Sequence, residues 1–277
     1  MEINVRGQQA YVYTGGKKTA IAATTETTAG PRVDHQPLVI FIHGAQQDHS
    51  CWGLQSRWFA HHGFSVLVPD LPGHGRSGGE PLLSVEALAE WIVALLDAVG
   101  VDRATLVGHS MGSLVALEAT ARYPERISRA VLIGSSLPML VSPALLDATR
   151  DNEAQAMAMI NAFSYSACSQ IGGNTVPGLW LLGMNKRLME RQKKGVFHVD
   201  MNACNAYVRA PESLAGIAAP LLIIAGQQDR MTSPKAAKAL LALIPGARLV
   251  AVEGSGHALM AERPDAVLDA LRDFIAR

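Results

Sequence analysis

Residues 108–112 read Gly-His-Ser-Met-Gly, directly after the apolar run Ala104-Thr105-Leu106-Val107 and directly before a helical stretch at 113–122. A serine between two glycines at such a junction predicts a sharp strand-to-helix turn, because small neighbours let the chain reverse and the hydroxyl is lifted above the sheet. The helix N-terminus behind it favours developing negative charge. Ser110 is thus a candidate nucleophile. A serine hydroxyl attacks poorly at neutral pH and needs a base within hydrogen-bond reach. Histidine meets that need, since an unperturbed pKa of about 6.5 lets it take the serine proton and return it to the leaving group, while a carboxylate fixes its tautomer.

The elements that must position these groups are legible as short apolar runs, each followed by turn residues and a helical stretch. The runs start at Leu38 (LVIFIHG), Ser65 (SVLVPD), Thr105 (TLVGHS), Ala130 (AVLIGSS), Leu221 (LLIIAGQQD) and Arg248 (RLVAVEGSGH). Continuous apolar strands covered on both faces are what a parallel sheet requires. Between them, Ser84 is placed as an N-cap with Glu86 in the first turn, Leu88, Ile92, Leu95 and Leu96 recur at helical spacing, and Gly100 supplies a stop. The alternation predicts an α/β fold with a doubly wound, mostly parallel sheet.

The alternation breaks after Ser136 and resumes near Pro220. In between, Met157, Ile160 and Phe163 stand three apart and Leu181, Met184 and Leu188 recur similarly, which predicts an inserted helical cap. We therefore expect a core from 1–136 and 218–277, with a cap at 137–217. The polar segment TTETTAGPRVDHQ, from Thr24, is expected to be a loop between early edge strands.

Composition limits the partners. Lys plus Arg and Asp plus Glu are 24 each, so no net field draws in nucleic acid or an anionic membrane. The beginning of the chain lacks a secretory apolar run and no stretch is long enough to span a bilayer, so a cytoplasmic protein with no membrane insertion is expected. Cys51, Cys168 and Cys204 are odd in number and widely spaced, which indicates neither a disulfide framework nor a zinc site. With no dinucleotide fingerprint, phosphate loop or metal cluster, no cofactor and no metal are expected.

Taken together with the motif around Ser110, the segments FIHGAQQD, VPDLPGHGRS, GQQDRMTSP and GSGH resemble the oxyanion loop, the Asp-x-x-Gly-x-Gly-x-Ser segment, the acid loop and the histidine loop of the α/β-hydrolase family. The resemblance runs in the family's order and covers nearly the whole chain. It implies a catalytic triad of Ser110, Asp229 and His257, the last two each just past a strand, and oxyanion donors from the backbone N–H groups of Ala45 and Met111. The other position at which members hold the acid, after AVLIG, offers only Ser135 and Ser136.

Competing roles stay open for several residues. Asp229 could instead cap the helix SPKAAKAL. His43, His74 and His109 are read as structural histidines, and His61-His62 as surface residues, because neighbours in sequence point apart. KRLMERQKK reads as a solvated helix face, with attraction of an acidic substrate or of a membrane surface as the alternative. Gln46, Trp52, Phe163 and Trp180 are candidate substrate-binding residues, though apolar residues at helical spacing are also what a core requires.

The expected function is hydrolysis of a carboxylic ester, thioester or lactone of small to medium acyl size through an acyl-serine. A serine nucleophile favours acyl transfer over the dehalogenation and epoxide opening that family members with aspartate perform. Carbon–carbon bond hydrolysis, perhydrolysis or a receptor with little turnover are the alternatives. The partner is a small-molecule substrate, and monomer and homodimer are both compatible with the sequence.

Overall fold

The computed structural model describes residues 1–17, 36–173 and 178–276. The strands are β1 (Glu2–Val5), β2 (Gln8–Tyr13), β3 (Leu38–Ile42), β4 (Ser65–Pro69), β5 (Ala104–His109), β6 (Ile127–Ile133), β7 (Leu221–Gly226) and β8 (Arg248–Val252). They form one sheet in the order β1-β2-β4-β3-β5-β6-β7-β8. From β4 to β8 every pairing is parallel, whereas β1, β2 and β4 pair antiparallel. The hairpin joining β1 to β2 turns on Arg6 and Gly7, both with positive φ, the backbone a two-residue turn needs to match strand twist. All six expected strands form; β6 starts three residues earlier than its apolar run, at Ile127.

The sheet is clothed by α1 (Gly53–His61), α2 (Val85–Ala98), α3 (Met111–Arg122), α10 (Pro234–Leu243), α11 (Leu259–Glu262) and α12 (Pro264–Ile275). Between β6 and β7 stand α4 (Pro143–Asp151), α5 (Glu153–Ser164), α6 (Ala167–Gln170), α7 (Leu181–Glu190), α8 (Val196–Ala206) and α9 (Pro211–Ala215). Alternate residues of β3 explain the two layers. Leu38, Ile40 and Ile42 pack with α2 and α3 on one face, while Val39 and Phe41 pack with α1 and α12 on the other. Both faces are dry, hence the unbroken apolar runs. Ser84 accepts from Ala87 N–H and starts α2 as expected, and Gly100, at φ 66°, follows its end. The inserted helices carry a small core of their own, including Met157, Met189, Phe197 and Met201. Residues 24–35 of the expected early loop lie outside the described residues. Among the described residues, no helix is long and apolar enough to cross a membrane.

Candidate active site

β5 delivers Ser110 at the centre of the sheet, and α3 begins at the next residue. Ser110 has φ 52° and ψ −119°, a conformation that side chains rarely adopt and that costs on the order of 1–3 kcal/mol. The surroundings hold it there: its N–H donates to the Ile133 carbonyl at 2.9 Å, and its carbonyl accepts from Ser113 N–H at 2.8 Å. The flanking glycines are required by close approach. A Cβ on Gly108 would run into the Gly112 carbonyl, and one on Gly112 into the carbonyls of Ile42 and His43. Met111 opens α3, so its N–H has no intrahelical acceptor and is free to serve an anion.

The sheet brings the loops after β7 and β8 to this same edge. His257 Nδ1 lies 2.8 Å from Asp229 Oδ2, and both residues are buried. Asp229 is held from its other side as well: Oδ1 accepts from Met231 N–H (2.8 Å) and Thr232 N–H (2.9 Å), and Oδ2 accepts from Thr232 Oγ1 (2.7 Å). Burial by itself would raise the Asp229 pKa, but His257 and these donors outweigh it and hold the carboxyl below its ordinary range. The N-cap of α10 is Ser233, which accepts from Ala236 N–H, so the capping role open to Asp229 is taken by another residue. His257 Nε2 is buried with no hydrogen-bond partner among the described residues. It shares a cavity of about 30 Å³ with Ser110, Gly44 and Ala45.

Three more histidines surround the site, each with a structural bond. His109 Nε2–H donates to the His257 carbonyl (2.9 Å), and burial, then the charge of His257, pushes its pKa down to about 3. His43 accepts from Leu71 N–H at Nε2 (3.0 Å) and donates from Nδ1 to the Gly44 carbonyl (2.8 Å); burial, then His74, pushes its pKa down to about 4. Both are neutral at pH 7. His74 instead faces acceptors on both nitrogens, the Pro72 carbonyl at 3.0 Å and Asp200 Oδ2 at 2.9 Å. His61 and His62 are exposed, as expected.

Beyond the serine, two larger spaces open. An apolar cavity of about 270 Å³ is walled by Leu145, Met159, Ile160, Phe163, Met201 and Met231, and reaches Ser110 and His257. An outer cleft of about 1010 Å³ runs past Gln47 and Asn185 to Trp180 and Met184. Phe163 and Trp180 therefore stand on cavity walls, but two other expected pocket residues do not. Trp52 is fully buried and packs on Phe41 at 5.3 Å between ring centroids, filling the core under the site. Gln46 turns away at φ 55°: its N–H donates to Asp200 Oδ2 (2.8 Å) and its Nε2 to the Met189 carbonyl (3.1 Å), while Gln47 is the glutamine in the wall. One residue in the turn takes the left-handed conformation, and that decides which of the two adjacent glutamines faces inward.

Several residues of the site carried no local signal. Thr232 braces Asp229; the Ser164 carbonyl, at the end of α5, accepts His257 N–H (2.7 Å); and Glu262 accepts Gly256 N–H (2.6 Å) and Ser166 N–H (2.8 Å). The basic run at 186–194, across the end of α7, is likewise more than a solvated face, since Arg191 forks onto Asp48 (2.8 and 2.7 Å), with Gln192 on the same carboxylate. Asp48, His49 and Asp70 bring three potential ligand atoms within 4.8 Å, but both carboxylates are engaged by Arg191, Gln192, His49 and backbone N–H groups.

Compared with known proteins, residues 39–270 match the model of the alpha/beta hydrolase family. The chain is 28% identical over 254 residues to the esterase YbfF of Escherichia coli, covering 90% of this chain and 96% of that one. It is 28% identical over 253 residues to the 2-hydroxy-6-oxo-6-phenylhexa-2,4-dienoate hydrolase of Burkholderia cepacia, covering 86% and 87%. The crystal structure of the enol-lactonase of Burkholderia xenovorans LB400 superposes with a TM-score of 0.83 over 100% of both chains at 23% identity, a likeness of fold.

Proposed function

This chain belongs to the alpha/beta hydrolase family, and from that premise we propose that it is a serine hydrolase cleaving a carboxylic ester, thioester or lactone with a small to medium apolar acyl group. One observation carries the proposal: His257, bonded through Nδ1 to Asp229 and with Nε2 unpartnered among the described residues, shares a small cavity with Ser110. In this reading Ser110 Oγ attacks the carbonyl carbon as its proton passes to His257 Nε2. The oxyanion accepts from the N–H groups of Ala45 and Met111. The bond from the carbonyl carbon to the leaving oxygen or sulfur then breaks as that atom takes the proton from His257; a water then gives a proton to His257 and attacks the acyl carbon, and the acid leaves as the proton returns to Ser110 Oγ. No step calls for a cofactor.

The apolar cavity of about 270 Å³ suits the acyl chain, and the outer cleft the rest of the substrate. Residues 137–217 act as a cap, supplying Phe163 to the first wall and Trp180 to the second. The free thiols Cys51, Cys168 and Cys204 suit a reducing, cytoplasmic setting. The Burkholderia cepacia relative favours one second reading, hydrolysis of a carbon–carbon bond by the same triad.

The test is fluorophosphonate labelling mapped by mass spectrometry, beside hydrolysis of p-nitrophenyl esters of graded chain length. Stoichiometric label on Ser110 with turnover supports the proposal, and Ser110→Ala should lower kcat roughly a million-fold. Multiple turnover retained in Ser110→Ala would overturn it. A labelled enzyme that turns over vinylogous 1,5-diketones but no ester would establish the second reading instead.

A further inference from the structure

The N–H of Ala45 can stabilise an oxyanion only if the two peptide planes that meet at Ala45 are both held. The first is held from within the core. His43 Nδ1–H binds the Gly44 carbonyl at 2.8 Å, and in a trans peptide the N–H of Ala45 then points the opposite way. The second plane, between Ala45 and Gln46, is held from the inserted helices: Gln46 N–H donates to Asp200 Oδ2 at 2.8 Å, 154 residues away in sequence. That bond locks Gln46 at φ 55°, a conformation that non-glycine residues rarely take unaided. Asp200 is 1% exposed and sits on α8 with its charge facing His74 Nε2 at 2.9 Å, itself 1% exposed.

We propose that Asp200 is a positioning residue for the oxyanion hole, and that its ion pair with His74 makes a competent Ala45 N–H depend on docking of α8 against the core. This rests on the serine-hydrolase reading. His74 has no free nitrogen: donating to both Pro72 and Asp200 requires the imidazolium. Burial opposes that charge, but Asp200 at hydrogen-bond distance overcomes it and leaves the His74 pKa raised. Among the other groups around the pair, the charge of Asp70, itself bonded by His49 and Arg76 N–H, adds to the pull that keeps His74 charged; His43, with ring centroids 4.9 Å apart, is neutral, Asp48 is engaged by Arg191, and Cys204, one turn along α8, is a buried thiol. Loss of the His74 proton therefore leaves Asp200 as a buried carboxylate without its counter-ion, which disfavours the docking of α8 that brings it to Gln46.

The experiment compares Asp200→Ala and Asp200→Asn with the wild type, with kcat and KM normalised to sites titrated by fluorophosphonate. Asp200→Ala should lower kcat ~10- to 100-fold with KM changed less than about threefold, since a misaimed donor costs somewhat less than a deleted one. Binding of a trifluoromethyl ketone, which forms an oxyanion on Ser110, should weaken by the same factor. In Asp200→Asn the amide oxygen still accepts Gln46 N–H, so kcat should recover to within about fivefold. It should also lack the alkaline limb expected of the wild type as His74 deprotonates. Should Asp200→Ala not fold, His74→Gln, which leaves Asp200 an uncharged donor, should lower kcat and abolish the same limb. An Asp200→Ala enzyme with wild-type kcat and ketone affinity would overturn the inference alone, whereas a wild type that takes no label on Ser110 would overturn it together with the reading beneath it.

Discussion

Replacing Asp229 by Asn exchanges one carboxylate oxygen for an NH2 group, and the surrounding bonds dictate how the amide must sit. Two backbone donors, Met231 N–H at 2.8 Å and Thr232 N–H at 2.9 Å, converge on Oδ1 and demand an oxygen there. The amide NH2 is thereby forced into the place of Oδ2, facing His257 Nδ1 at 2.8 Å. The opposite orientation would set a donor against two buried donors and forfeit both bonds, at about 1–3 kcal/mol each, so it is scarcely populated. With a donor facing it, Nδ1 must accept, and the neutral imidazole carries its proton on Nε2, the nitrogen that in the proposed mechanism takes the proton of Ser110. The side chain keeps its volume and its bonds to Met231 and Thr232, so the fold should survive. We expect kcat for a p-nitrophenyl ester to fall by ~10⁴, about 5.4 kcal/mol of transition-state stabilisation, with KM nearly unchanged. Nitrogen-15 NMR of labelled histidine reads the cause directly, as a switch of the His257 proton from Nδ1 to Nε2. A variant within tenfold of the wild type, or one whose His257 keeps the Nδ1–H tautomer, would refute the reasoning.

Two further outcomes follow from the burial of His43 and from the shape of the cavity. Burial, then the neighbouring His74, lowers the His43 pKa from 6.5 to about 4. Between those values the unfolded chain binds a proton that the fold rejects, so the stabilisation is full above 6.5 and drains away as pH falls, by about 3 kcal/mol for this group. His109 acts in the same direction, whereas the depressed carboxylate of Asp229 begins to count only below about pH 4. Urea midpoints taken at about pH 7 and pH 4.5 should therefore differ clearly, and equal midpoints would contradict buried neutral histidines. For the cavity of about 270 Å³, kcat/KM on p-nitrophenyl esters should rise ~4-fold per added methylene while the chain still finds apolar wall, the equivalent of ~0.8 kcal/mol. Met159→Trp should end that rise at a shorter chain, and an unaltered chain-length profile would show that the acyl group binds elsewhere.

What the sequence alone determined was whatever depends on near neighbours in the chain. The apolar runs at Leu38, Ser65, Ala104 and Leu221 became strands because both sheet faces are covered, and the glycines around Ser110 became a turn because nothing larger clears the carbonyls of Gly112 and Ile42. His257 and Asp229 could be named because their loops, GSGH and GQQDRMTSP, resemble the histidine and acid loops of the family, and parallel strands carry both loops to one edge. Only the tertiary structure decided which of Gln46 and Gln47 enters the site, since that follows from one positive φ secured by Asp200 on a distant helix. Only there does Trp52 turn out to be core, packed on Phe41 from the adjoining strand. The basic run at 186–194 gave no hint that Arg191 would dock on Asp48, nor Ser164 and Glu262 that they would hold the histidine loop. Strand and turn propensities act within a few residues, but the partner of a buried donor or charge is whichever group the finished packing sets within about 3 Å, and that group can lie 150 residues away.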